Sequence, residues 1–80
     1  MHLPTVKHLV ENFEKTQLEA AEAAILEEQT PEIEIGGADE GEQLTHVIAA
    51  IWIKNDMIEN HRDLRDSMRE YTKKVRKSID

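Results

Sequence analysis

Glu42 and His46 are the residues whose types and spacing come closest to a metal site in this sequence. They are four positions apart, which places both side chains on one face of a helix. Carboxylate oxygen and imidazole nitrogen bind metals, and facing helices of a bundle can supply further ligands. Di-iron bundles use Glu-x-x-His with additional glutamates, whereas this chain has Glu-x-x-x-His once. A histidine beside a capping glutamate is therefore the preferred interpretation, and no cofactor is expected.

The C-terminal segment carries a cluster of basic residues that could bind an anionic partner. Cations are also stabilising at a helix C-terminus, and neighbouring acids can neutralise them within the chain. The sequence favours this internal explanation, so nucleic acid is not an expected partner. The bases are Arg69, Lys73, Lys74, Arg76 and Lys77.

The residue types needed for common catalytic or calcium sites do not occur in a recognisable pattern. There is no cysteine, no Gly-rich phosphate loop and no serine with a His–Asp pair at a known spacing. The acidic segment 36–42 lacks the alternating ligands of an EF-hand. We therefore predict no catalytic residues and a protein that is not an enzyme.

Three helices are predicted from the apolar spacing and the helix-breaking residues. Helix 1 covers about residues 4–28, where apolar residues recur at three- and four-residue steps until Thr30-Pro31. Helix 2 covers about 40–59, since Asp39 and Glu42 form the pattern of a capping box. Between them lies an extended acidic linker at 30–38, with Ile33 and Ile35 packed onto the helices.

Helix 3 is predicted over about residues 63–79. Leu64, Met68, Tyr71 and Val75 follow a heptad spacing, and Asp63 with Asp66 offers a helix start. The alternative is one helix from 40 to 79. The weaker helix formers at 60–62 favour a break. The chain is thus expected to be one all-α domain over residues 1–80.

Residues 47–53 are seven consecutive apolar residues, which cover every direction around two turns of helix 2. A helix that is apolar all round is buried on all sides. Two partner helices would cover part of that surface, so we expect a second chain to cover the rest, most simply in a symmetric dimer. The candidate interface residues are Val47, Ile48, Ile51, Trp52, Ile53, Leu64, Met68 and Tyr71.

The charge is distributed unevenly along the chain. Residues 1–43 contain eleven acids and two bases, whereas residues 44–80 contain eight bases and six acids. Opposite charges of this kind favour attraction within or between chains and do not form the basic surface that nucleic acid requires. No apolar run approaches the roughly 20 residues of a membrane span, so a cytoplasmic chain without membrane contact is expected.

Residues 41–53 and 71–79 resemble stretches of short uncharacterised all-helical bacterial proteins of the domain-of-unknown-function kind. That resemblance implies a small bacterial helical protein and carries no activity, cofactor or site with it.

The preferred function is a non-enzymatic homo-oligomeric module that binds a protein partner or has a structural role. Two alternatives remain open at this point. One is a metal-binding helical bundle using Glu42 and His46, and the other is an adaptor for an anionic partner that uses the basic C-terminal helix.

Overall fold

The computed structural model describes residues 1–79. It contains four helices, namely α1 (Leu3–Asn12), α2 (Lys15–Leu26), α3 (Glu40–Glu59) and α4 (Leu64–Ile79), and no strand in the described residues. The all-helical prediction is confirmed, whereas the prediction of three helices is wrong because the first predicted helix is two. None of the described helices is both long enough and apolar enough to cross a membrane.

The predicted helix over 4–28 is interrupted at Phe13 and Glu14. Leu18 lies five positions after Phe13. In a continuous helix that step would turn the side chain of Leu18 about 140° away from the apolar stripe of α1. A single straight helix would therefore expose one of the two stripes. The backbone of Phe13 is extended instead, and the Glu14 N–H donates to Oε1 of Gln17 at 2.8 Å to start α2.

The segment between α2 and α3 begins before Pro31, the residue that the sequence suggested as the stop. Glu28 adopts a left-handed φ of 60°, and the Gln29 N–H donates to the Ala24 carbonyl at 2.8 Å. These features form a helix C-cap. The chain then runs without helix or strand to α3, with Ile35 buried and Ile33 packed against the core.

The predicted second and third helices agree with α3 and α4. Asp39 accepts a hydrogen bond from the Glu42 N–H at 2.8 Å, as a capping residue does. The break between the helices is confirmed, since His61 has a φ of 52° and Asp63 accepts from the Asp66 N–H at 2.8 Å.

Helix α3 is the centre of the fold, because α1, α2 and α4 all pack against it. Ala49 and Ala50 are fully buried and allow neighbouring helices to approach closely. The apolar core draws on every helix and on the linker: Val6, Leu9, Val10, Leu18, Ala21, Ile25, Ile35, Val47, Ala49, Ala50, Ile53 and Tyr71.

Candidate interaction surface

The structure divides the candidate interface residues into buried and accessible groups. Val47 and Ile53 are 0% exposed within the single chain, and Tyr71 is buried too. Leu64 and Met68 are partly buried and pack against the same core. Val47 and Ile53 are therefore core residues of one chain, and a second chain does not reach them in this conformation.

The expectation that α3 has two partner helices is corrected by the same observation. Because the first predicted helix is broken, α1 and α2 approach α3 separately and α4 adds a third partner. Three helices cover more of α3 than two can. Burial of Val47 and Ile53 thus follows from folding of one chain, and the apolar run at 47–53 alone no longer requires a second one.

One side of α3 still carries large apolar side chains that the chain does not cover. Ile48 is 44% exposed and Ile58 is 69% exposed, while Leu44 and Ile51 are partly buried. With about 100° between successive residues, these four lie within a single arc opposite His46 and Ala50. We call Leu44, Ile48, Ile51 and Ile58 the outer face of α3.

Two other helices border the outer face on opposite sides. A cleft on one side is lined by Glu14 and Lys15 at the α1–α2 junction, together with Ile58. On the other side, the ring of Trp52 contacts that of Tyr71 on α4, with centroids 5.4 Å apart and planes at 55°. The outer face is therefore an apolar strip between α2 and α4.

Leu26 extends the apolar character of this region. It is 65% exposed, and its eleven-residue distance from Lys15 places both on the same side of α2. That side borders the outer face, since Lys15 lines the cleft that contains Ile58.

The sequence predicted Ile48 and Ile51 as interface residues and did not single out the exposed Ile58 and Leu26 or the partly buried Leu44. A signal for the accessible side of α3 was present in Ala49 and Ala50. Small residues in an otherwise bulky apolar run allow close helix packing, so they indicate the inner side. The bulky residues opposite them are the ones that the chain leaves accessible.

A polar cluster around Asp56 holds the corner between α3 and α4. The Ser67 hydroxyl, which is fully buried, donates to Oδ2 of Asp56 at 2.7 Å. Oδ1 accepts from Arg62 at 2.7 Å and from Asn60 at 2.8 Å. The carboxylate thereby joins the end of α3, the connecting turn and the first turns of α4.

The hydrogen bond from Ser67, and then the contacts with Arg62 and Asn60, hold the pKa of Asp56 below its ordinary value of 3.8 despite its burial. In turn, Asp56 raises the pKa of Arg62. The stabilisation by Asp56 is thus fully present above the unfolded-state pKa and is lost as the pH falls through the lower folded-state pKa.

We expect Asp56→Asn to lower the melting temperature at pH 7. Below about pH 4, the difference in melting temperature between the variant and the unmodified chain should become smaller. The asparagine cannot form the charged contact with Arg62, while acid removes that contact from the unmodified chain. Thermal unfolding followed by circular dichroism between pH 7 and pH 2 measures both melting temperatures. An equal deficit at every pH would show that the Asp56 charge is not the source.

His46 is fully buried and bonded through both ring nitrogens. Nδ1 lies 2.6 Å from the carbonyl oxygen of Gly36, so it must carry the proton and donate. Nε2 accepts the backbone N–H of His2 at 2.9 Å. His46 therefore ties the start of α1 and the end of the linker to α3.

The geometry around His46 also bears on the predicted Glu42–His46 metal pair. Oε1 of Glu42 lies 3.9 Å from Nε2, so the two side chains do share one face of α3. The Nε2 lone pair that a metal would need is occupied by the N–H of His2. Among the described residues, no group of three or more histidine or acidic side chains is arranged to hold a metal ion.

The basic residues of α4 are mostly on its exposed side. Arg69, Lys73, Arg76 and Lys77 are exposed, and Nζ of Lys73 lies 3.5 Å from Oε1 of Glu70. The charges of Asp66 and Glu70 also act on Arg62. Part of the positive charge of α4 is thus neutralised by its own acids.

Comparison with known proteins assigns the chain to a family. No curated protein sequence and no solved structure matches the chain significantly. A family model described as a family of unknown function, DUF6952, matches residues 1–80. The matched segment is the whole sequence, so the chain belongs to this family of unknown function.

Proposed function

We propose that this protein is a non-enzymatic helical interaction module that associates with a second copy of itself through the outer face of α3. The observation that carries the proposal is the exposure of Ile48 and Ile58 beside Leu44 and Ile51 on one side of the central helix. A chain of 80 residues buries a limited fraction of its surface alone, and association raises that fraction.

The energetics favour covering this face. Burial of apolar surface contributes roughly 25 cal/mol for each Å² removed from water, and burying a large aliphatic side chain contributes about 1.5–3 kcal/mol. In a two-fold dimer both copies use the same face, so each residue of the face contributes two buried side chains, one from each copy. Two copies of a few such residues supply a substantial fraction of the free energy that a stable dimer needs.

The remaining surface gives less support to other functions. The clefts of the described residues are open. One of them brings Nδ1 of His2 to 2.9 Å from Oγ1 of Thr5, but this pair is exposed to solvent rather than enclosed as a catalytic site would be. The buried polar groups Asp56, Ser67 and His46 all have hydrogen-bond partners within the chain. Their arrangement fits a role in holding helices together, which is what an interaction module requires.

Placing a charge on the outer face should separate the copies without unfolding the chain. We expect Ile48→Asp to convert the dimer to a monomer and to weaken association more than about 100-fold, because the carboxylate would be buried without a partner at the interface. Size-exclusion chromatography with light scattering measures the mass, and circular dichroism shows whether the helices remain.

Leu3→Asp is the matched control for this experiment. Leu3 is 42% exposed, close to the 44% of Ile48, but it lies on α1 in a different cleft, beside Val75 and Arg76. We expect Leu3→Asp to keep the dimer. If Ile48→Asp has the same mass as the unmodified chain, or if Leu3→Asp separates the copies equally well, the outer face of α3 is not the interface.

A further inference from the structure

The outer face of α3 has the spacing of a coiled-coil seam. Leu44, Ile48, Ile51, Asn55 and Ile58 succeed one another at steps of four, three, four and three residues. This is the a/d pattern of two helices that pack side by side, with Ile48 and Asn55 at a positions and the other three at d positions. The predicted heptad on α4 instead faces the core of its own chain.

Asn55 is the one polar member of this seam. It is half-buried, and its side-chain amide forms no hydrogen bond within the described residues. An asparagine at an a position of a parallel two-stranded coiled coil faces its own copy across the axis, where each amide can bond to the other. In an antiparallel pair it would face Leu44 or Ile51 of the second chain and remain without a polar partner.

The charges beside the seam agree with the parallel arrangement. Lys54 is at a g position and Glu59 at the following e position, five residues later. In a parallel pair, a g residue of one chain lies beside that e residue of the other. Lys54 of each copy therefore lies beside Glu59 of the other copy, which gives two such contacts in the dimer. Neither residue has an ion-pair partner among the described residues of its own chain.

The helices that flank the seam give a third, independent argument. Since α2 and α4 border opposite sides of the outer face, a two-fold axis parallel to α3 places α4 of one copy beside α2 of the other. A perpendicular axis would place α4 beside α4. Residues 64–79 contain six bases and two acids. Placing α4 beside α4 therefore brings two positively charged helices together, whereas placing α4 beside α2 brings positive charge towards the acidic half of the partner.

From these features we infer that the occupant of the outer face is a second copy of this chain in parallel orientation, with the two Asn55 amides paired on the two-fold axis. The inference rests on the proposed function and adds the orientation and register of the dimer. Two Lys54–Glu59 contacts between the chains fix that register.

A cysteine at position 55 tests the orientation, because the natural sequence has none. In the parallel dimer, Asn55→Cys places the two thiols opposite each other, and mild oxidation should give a disulfide-linked dimer as the main product. Two equimolar mixtures, Asn55→Cys with Ile51→Cys and Asn55→Cys with Leu44→Cys, are oxidised and analysed by mass spectrometry. The parallel dimer should give few disulfides between the two different chains in either mixture. The antiparallel dimer should give mainly such mixed disulfides in the mixture whose second cysteine faces position 55.

Charge reversal tests the register. Lys54→Glu should weaken the dimer about tenfold by replacing two attractive contacts with two repulsive ones, and Glu59→Lys in the same chain should restore it. In an antiparallel dimer g residues lie beside g residues, so Lys54 meets either Lys54 or Val47 of the other copy, and the single reversal would not weaken association.

The outcomes separate the inference from the proposed function. A dimer that cross-links at position 55 and recovers with the double reversal supports both. A dimer that forms mainly mixed disulfides and is not weakened by Lys54→Glu overturns the parallel orientation and leaves the interaction module standing. An unmodified chain that stays monomeric at millimolar concentration overturns both.

Discussion

Replacing His46 by alanine is expected to reduce the free energy of unfolding by about 2–4 kcal/mol. The substitution removes the acceptor of the His2 N–H and the donor to the Gly36 carbonyl, and it leaves a cavity where a fully buried ring was. Losing both contacts releases the start of α1 and the end of the linker together. Urea unfolding followed by circular dichroism measures the change.

His8→Ala is the control for the His46 variant. His8 is exposed, hydrogen-bonds to Asn12 on its own helix and contacts the ring of Phe13 edge-on. We expect a change below about 1 kcal/mol for this variant. If His46→Ala is no less stable than His8→Ala, the two backbone contacts of His46 do not hold the fold together.

The second large effect is expected for Ile53→Ala, a substitution that tests whether Ile53 belongs to the core of one chain or to the interface between two. Ile53→Ala should reduce the free energy of unfolding by about 2–5 kcal/mol, because the side chain is fully buried inside one chain. Its effect on the dissociation constant of the folded dimer should be small. Chemical unfolding and light scattering measure these two quantities separately.

Ile58→Ala provides the matched comparison, since the same side chain is removed from the same helix. Ile58 is 69% exposed in the single chain. Here we expect little change in the stability of the monomer and a clear weakening of association. The reverse result, with Ile53→Ala weakening the dimer of a stable fold, would place the interface on the side of α3 that the structure assigns to the core.

Features controlled by neighbouring residues were the most predictable from the sequence. Asp39 and Glu42 indicated the start of α3, and the weak helix formers after Glu59 indicated its end. A capping residue acts within one turn, so its pattern is visible without the rest of the fold. The linker isoleucines were also placed correctly against the helices.

The division of the first helix was harder to predict because two local preferences disagree there. Glu14 and Lys15 are good helix formers, whereas Asn12 and Phe13 are weaker ones, and nothing at that point resembles proline or glycine. The decisive signal was the five-residue step from Phe13 to Leu18, which shifts the apolar stripe. Packing of both stripes onto α3 outweighs the helical preference of Glu14 and Lys15.

The accessible side of α3 was only partly visible in the sequence for a related reason. An all-round apolar helix shows that many side chains need cover, but it does not show which neighbour covers each one. Val47 and Ile53 resemble Ile48 and Ile58 in residue type. The position of three packing helices is what distinguishes them, and that depends on contacts distant in the sequence.

Sedimentation equilibrium of the unmodified chain tests the central claim most directly. The mass of one chain is 9.2 kDa. We expect the weight-average mass to rise with concentration and to level off at twice that value, since a two-fold dimer is a closed assembly. A mass that stays at 9.2 kDa up to millimolar concentration would contradict the proposal that the outer face of α3 binds a second copy of the chain.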